Sequence, residues 1–84
     1  MNFNDEITNG AKNRFEVAKA GLRKMGGMWY EEVKHIANEL YGLGLTGQAH
    51  KFVELAYLHL HNKDFLRYNI VRNQYGGLIN DQIN

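Results

Sequence analysis

The sequence predicts an all-α fold, a small antiparallel bundle of three to four helices, and three observations lead there. Apolar residues recur at three- and four-residue steps through long stretches, no proline interrupts them, and paired glycines fall where those stretches end. The chain has 84 residues, which is the size of one small domain and leaves no room for a second.

Taking the elements in order, Ile7, Ala11, Phe15, Ala18, Leu22 and Met25 alternate four- and three-residue steps and so share one helical face. A first helix is predicted from about Asn4 to Met25. Gly26 and Gly27 supply the stop, and Arg23 and Lys24 complement the dipole in the last turn. Gly10 and Gly21 inside it each cost on the order of 1 kcal/mol relative to alanine, so this helix requires tertiary support.

A second helix is predicted from Met28 to Tyr41, with Trp29, Val33, Ile36 and Leu40 as its apolar stripe and Glu31 and Glu32 near its positive end. A third starts after Thr46, read as its N-cap, and carries Ala49, Phe52, Val53, Ala56 and Leu60 inward. Trp29, Phe15, Leu22, Ile36, Leu40, Phe52, Val53, Ala56 and Leu60 are the expected core.

The fourth stretch, DFLRYNIVRNQY, is apolar around most of its circumference. Asp64 is the expected cap, Gly76 and Gly77 the expected end, and residues 76–84 a tail that could extend, swap or stay loose. A helix with apolar residues on so many sides has too few partners in one small monomer, so Phe65, Leu66, Ile70, Val71 and Tyr75 are expected at an oligomer or partner interface.

Bulk composition narrows the function classes. At 44% hydrophobic and 23% charged the chain is ordinary for a globular domain, and its formal charge of +1 does not describe a surface dedicated to nucleic acid. It has no cysteine, which excludes disulfides, thiolate catalysis and thiolate metal sites. The polar start MNFNDEITNGAKNR is unlike a signal peptide, and no apolar run is long enough for a membrane span, so a cytoplasmic location is expected.

Gly42, Gly44 and Gly47 fall at the G-x-G-x-x-G spacing of a dinucleotide-binding turn. That motif needs a strand before it and two mononucleotide-binding halves around it; here a helix precedes, and the chain is too short. The same segment is better read as the turn of a helical hairpin. Val33, Ile36, Ala37, Leu40, Gly44, Ala49, Val53 and Ala56 give it a layout of small and large residues that resembles a single tetratricopeptide repeat, over about Trp29 to Asn62. His61 stands where that repeat has proline, and no second copy occurs in the flanking helices. The resemblance therefore implies shared packing, and the peptide-binding groove of repeat arrays is not carried over.

What remains of the nucleotide idea is an anion site at the start of the third helix, where no acidic side chain occupies the first turn. Thr46, Gly47 and Gln48 offer backbone amides there, with His50 and Lys51 near them. Lys12, Lys19 and Arg23 form one basic stripe, and His59, Lys63 and Arg67 another, near Tyr68 and Arg72. Arg67 and Arg72 beside Tyr68 could grip a phosphate while the ring stacks on a base. Both stripes are interrupted, by Glu16 and by Asp64, as solvated helix faces commonly are.

Metal and catalytic chemistry are not expected. Glu31, His35 and Glu39 repeat at four-residue steps, which is ion-pair spacing, and two histidines at 59 and 61 diverge too far on a helix to share a ligand. The looser row His50, Glu54 and His61 adds no ligand set. The chain lacks serine, and its two threonines have no evident activating base. No cofactor is expected. The leading expectation is a non-enzymatic helical interaction or regulatory protein, a homo-oligomer that occupies a surface of a partner macromolecule, such as a phage-type accessory inhibitor. The alternatives are an oligomeric binder of a nucleotide or another phosphorylated small molecule, and a weak nucleic-acid binder.

Overall fold

The computed structural model describes residues 12–83, and the side chains of residues 14–82. The expected start of the first helix at Asn4, and the positions Ile7, Gly10 and Ala11, lie outside the described residues, as does the side chain of Lys12. Four helices follow in order: α1 (Lys12–Met25), α2 (Gly27–Gly42), α3 (Thr46–His61) and α4 (Phe65–Ile83). The fold is the all-α bundle that the periodicity predicts. Among the described residues α3 packs against all three other helices, while α1 and α4 lie on different sides of it.

The first connection is as short as a connection can be. Gly26 and Gly27 both take left-handed backbone angles, φ +67° and +66°, and the Gly26 amide closes α1 onto the Leu22 carbonyl at 2.9 Å. The second connection is Leu43 to Leu45, with Gly44 at φ +80° and the Leu45 amide reaching back to the Leu40 carbonyl at 2.9 Å. Gly44 therefore serves a helix stop. Thr46 is not the cap of α3. That place belongs to Leu45, whose carbonyl accepts from the Ala49 amide at 2.9 Å, and no side chain caps the helix. Thr46 is already the first helical residue, one position too late to act as the cap.

Asp64 does cap α4, accepting from the Arg67 amide at 3.2 Å. The residue before it, Lys63, has φ +57°, the left-handed region that costs a residue with a Cβ roughly 1 kcal/mol. Lys63→Gly is accordingly expected to raise stability by about 0.5–1 kcal/mol, seen as a higher denaturant midpoint with an unchanged slope.

The expected stop at Gly76 and Gly77 does not occur: α4 runs through both to Ile83. The same residue pair ends α1 and continues α4 because glycine permits a left-handed turn without requiring one. Beyond Gly77, Ile79 is buried and Leu78 packs on the core, and that contact holds the last turns in place.

The core contains Phe15, Leu22, Leu40, Phe52, Val53, Ala56 and Leu60 as expected, but Trp29 and Ile36 are only half-buried at its edge. Tyr68, Val71, Tyr75 and Ile79 of α4 complete it. Gly21 lies where α1 meets α3, and a Cβ added there would collide with the Tyr57 ring. A residue that weakens α1 as an isolated helix thus permits its close approach to α3.

Candidate functional site

Among the described residues no side-chain cluster gathers those that the sequence offers for phosphate binding. Tyr68 is fully buried, its ring edge-on to Trp29 at 5.3 Å, so no face is left for stacking on a base. Its hydroxyl donates to Glu32 Oε1 at 2.5 Å, and Arg72 Nη1 sits 3.4 Å from Glu32 Oε2. Burial and the neighbouring carboxylate both push the Tyr68 hydroxyl far above its ordinary range, so it remains a donor at any physiological pH. Two of the three residues singled out around Arg67 therefore join α2 to α4 around one carboxylate. Arg67 points out and pairs with Asp64 at 3.6 Å. Glu32, read from sequence as a dipole-favourable charge, is the acceptor at the centre of this contact.

The other basic stripe is also altered by packing. Lys19 is buried, with its ammonium 3.6 Å from Glu16 Oε1 and 5.2 Å from the centre of the Phe15 ring. Arg23 Nε donates to the Tyr30 hydroxyl at 3.5 Å. Along α2, His35 lies 3.6 Å from Glu39, whereas Glu31 pairs with Lys34, a residue outside the row of four-residue steps, at 3.2 Å.

At the start of α3, Gly47, Gln48 and Lys51 are exposed and Thr46 is half-buried. His50 does not join them. Its ring lies 4.3 Å from Phe15 and 5.6 Å from Tyr41, and its Nε2 is buried without a hydrogen-bond partner. Desolvation holds the His50 pKa below its ordinary 6.5, opposed by Glu54 on its own helix and assisted by Lys19 on α1. A depressed pKa means that the folded state resists the proton that the unfolded chain accepts. The associated stability is complete above pH 6.5 and is lost as the pH falls from there through the folded-state pKa. Thermal midpoints should fall across that acidic window, and His50→Phe, which removes the unpartnered nitrogen and keeps an aromatic ring there, should flatten the dependence.

Besides exposed Met25 and Met28 at the α1–α2 connection, two surfaces on the described residues are apolar without being core. Along one side, α1 and α3 leave an open groove of about 500 Å³ floored by Ala18 and Leu55 and edged by Val17, Tyr57 and Leu58, with the Arg14–Glu54 pair at 3.4 Å beside it. The second is the outer face of α4. Of the five interface candidates on this helix, Val71 and Tyr75 turn inward and are buried, because they share a face with Tyr68 and Ile79. Leu66 and Ile70 remain outside, 73% and 49% exposed, and Phe65 stacks on Trp29 at 5.5 Å at the flank.

At 100° per residue, Leu66, Ile70, Asn73 and Gly77 fall within one narrow stripe, roughly opposite the buried stripe of Tyr68, Val71, Tyr75 and Ile79. From sequence Asn73 carries no signal, and Gly77 reads only as part of a helix stop. The signal was present as the steps of four, three and four residues from Leu66, but it is interleaved with the buried stripe. Only burial separates the two.

Comparison of the chain with protein-family models, curated proteins and solved structures gives no match. No described helix is long and apolar enough to cross a membrane.

Proposed function

We propose that this chain is a non-enzymatic interaction protein that binds another protein molecule through the outer face of α4. One observation carries the proposal: Leu66 and Ile70 are large, apolar and exposed on the side of α4 that faces directly away from its own core. Single exposed apolar residues are ordinary on protein surfaces. A pair at i, i+4 on the face opposite the core is different, because intramolecular packing gives it no role and burial against another protein would release apolar surface from water. The proposal extends to regulation by occupying a partner's surface, the mode suited to a chain without serine or cysteine nucleophiles.

The phosphate-ligand alternative is weaker on this geometry. Tyr68 and Arg72 are engaged with Glu32, and Arg67 with Asp64. A nucleotide would have to displace those contacts.

A photo-reactive side chain at Asn73, introduced in cells of the source organism, tests the proposal. Protein adducts are expected, to the chain itself or to another protein, and Leu66→Asp should abolish them. A lack of protein adducts, or adducts indifferent to Leu66→Asp, overturns it. Leu66 is mostly exposed, so the variant should keep its thermal midpoint to within about 0.5 kcal/mol of stability.

A further inference from the structure

We infer that the outer face of α4 pairs with the same face of a second copy of this chain, antiparallel and about a two-fold axis; this rests on the proposed use of α4 and commits to its occupant. The argument is self-complementarity. In an antiparallel pair whose axis passes midway between positions 71 and 72, Leu66 of one copy faces position 77 of the other, and Ile70 faces position 73. Each copy thus presents its two large apolar side chains in its N-terminal half, and an asparagine and a bare glycine in its C-terminal half. The protrusions of each meet the recesses of the other.

Gly77 is the residue that makes this more than an apolar patch. Glycine inside a helix is unfavourable by about 1 kcal/mol relative to alanine, and the usual reason to accept it is a close neighbour. Gly21 has such a neighbour in Tyr57. At Gly77, as at Gly42, Gly47 and Gly76 in the helices, an added Cβ would meet nothing within 4 Å, so this chain's own packing does not account for the missing side chain; of these, Gly77 is the one on the outer stripe of α4 with Leu66 and Ile70. A helix of a second copy with Leu66 above Gly77 does account for it.

Charge agrees with the same orientation. At the N-terminal end of α4 stand exposed Lys63 and Arg67, the latter paired with Asp64, which leaves that end with one net positive charge, and exposed Asp81 stands in its last turn. Antiparallel pairing brings the turn that carries Lys63 in each copy to the last turns of α4 of the other, near Asp81 and the carbonyl end of the helix, where a cation is favourable. Parallel pairing would place Lys63 against Lys63 and Arg67 against Arg67. An isologous contact of this kind closes on itself, so the product is a dimer and not a filament.

The contact runs from position 66 to position 77, about 16 Å of helix, which is small beside a standard interface, so association is expected to be concentration-dependent. Sedimentation from roughly 10 μM to 1 mM covers the appropriate range. Wild type is expected to convert from monomer to dimer with nothing larger. Gly77→Leu should raise the melting temperature of the dilute monomer, since helix propensity improves and the space is open, yet weaken dimerisation by about ten-fold or more. Leu66→Asp should weaken it without that gain.

The chain has no cysteine, so introduced thiols report the orientation cleanly. Under oxidation a mixture of Lys63→Cys and Asn80→Cys should give the mixed disulfide, whereas Lys63→Cys alone should not, its thiols lying about 25 Å apart along the pair. A wild type that stays monomeric at every concentration overturns the inference and leaves the α4 face to a different protein, which the cross-link at Asn73 would reveal. A dimer indifferent to Gly77→Leu, or one in which Lys63→Cys links to itself, overturns it equally while the proposed use of α4 stands.

Discussion

Tyr68→Ala is expected to remove a large share of the protein's stability. Tyr68 is the largest of the fully buried side chains, and truncating a buried aromatic costs about 3–5 kcal/mol through lost burial and the cavity left behind. At roughly 0.05–0.15 kcal/mol per residue the total stability of a domain this small is about 4–13 kcal/mol, so the loss takes about a quarter of it or more. Tyr68→Phe separates the two contributions. It keeps the ring between Trp29 and the core and removes only the hydroxyl that donates to Glu32 at 2.5 Å, leaving a half-buried carboxylate with Arg72 as its remaining partner. That variant should lose about 1–3 kcal/mol. Urea unfolding followed by helical circular dichroism measures both. Near-equal losses would mean that the ring contributes little beyond the hydrogen bond, contrary to its full burial.

The second large effect has the opposite sign from what helix propensity gives. Gly21→Leu puts a good helix former into the middle of α1, and in an isolated helix it would be stabilising by somewhat less than 1 kcal/mol. In the folded protein the first carbon of the new side chain meets the Tyr57 ring, so either the ring swings out or α1 moves away from α3. Overpacking of this kind costs about 1–3 kcal/mol, and a net destabilisation is expected. Tyr57→Ala in the same background should recover part of it, because the ring is the obstacle. A double-mutant cycle by chemical denaturation would show the coupling, and strict additivity would disprove the contact as its cause.

The two glycine pairs show how far sequence reasoning reached and where it stopped. Gly26-Gly27 and Gly76-Gly77 are the same dipeptide after a helical pattern, and both read as stops. The first pair is one: the stripe of α1 ends there, and a new stripe with a different facing begins at once. The second pair is followed by Leu78 and Ile79, whose burial against the core keeps α4 helical across residues that weaken it. A local signal sets the cost of continuing, and a tertiary contact decides whether that cost is met.

The candidate site was legible in the same partial way. Leu66 and Ile70 stand out in the sequence as excess apolar residues, but so do Val71 and Tyr75, and nothing local tells the inward pair from the outward one. Arg67, Tyr68 and Arg72 looked like a phosphate grip because the sequence shows their types and spacing. It does not show Glu32, 36 residues before Tyr68 and 40 before Arg72, which accepts from both. His50 was placed with the exposed amides of the α3 start for a similar reason: its neighbours Phe15 and Tyr41 lie on two other helices.

By itself the sequence determined the helical class, the inward face of α3, part of the inward faces of α1 and α2, the two tight turns at Gly26 and Gly44, and the Asp64 cap, because periodicity, backbone freedom and capping act over a few residues. Only the tertiary structure decided which side of α4 is core, why Gly21 is bare, that α4 passes through Gly76 and Gly77, and that Tyr68 and Arg72 serve Glu32. Each of those depends on groups far apart in the chain that meet only when the helices pack.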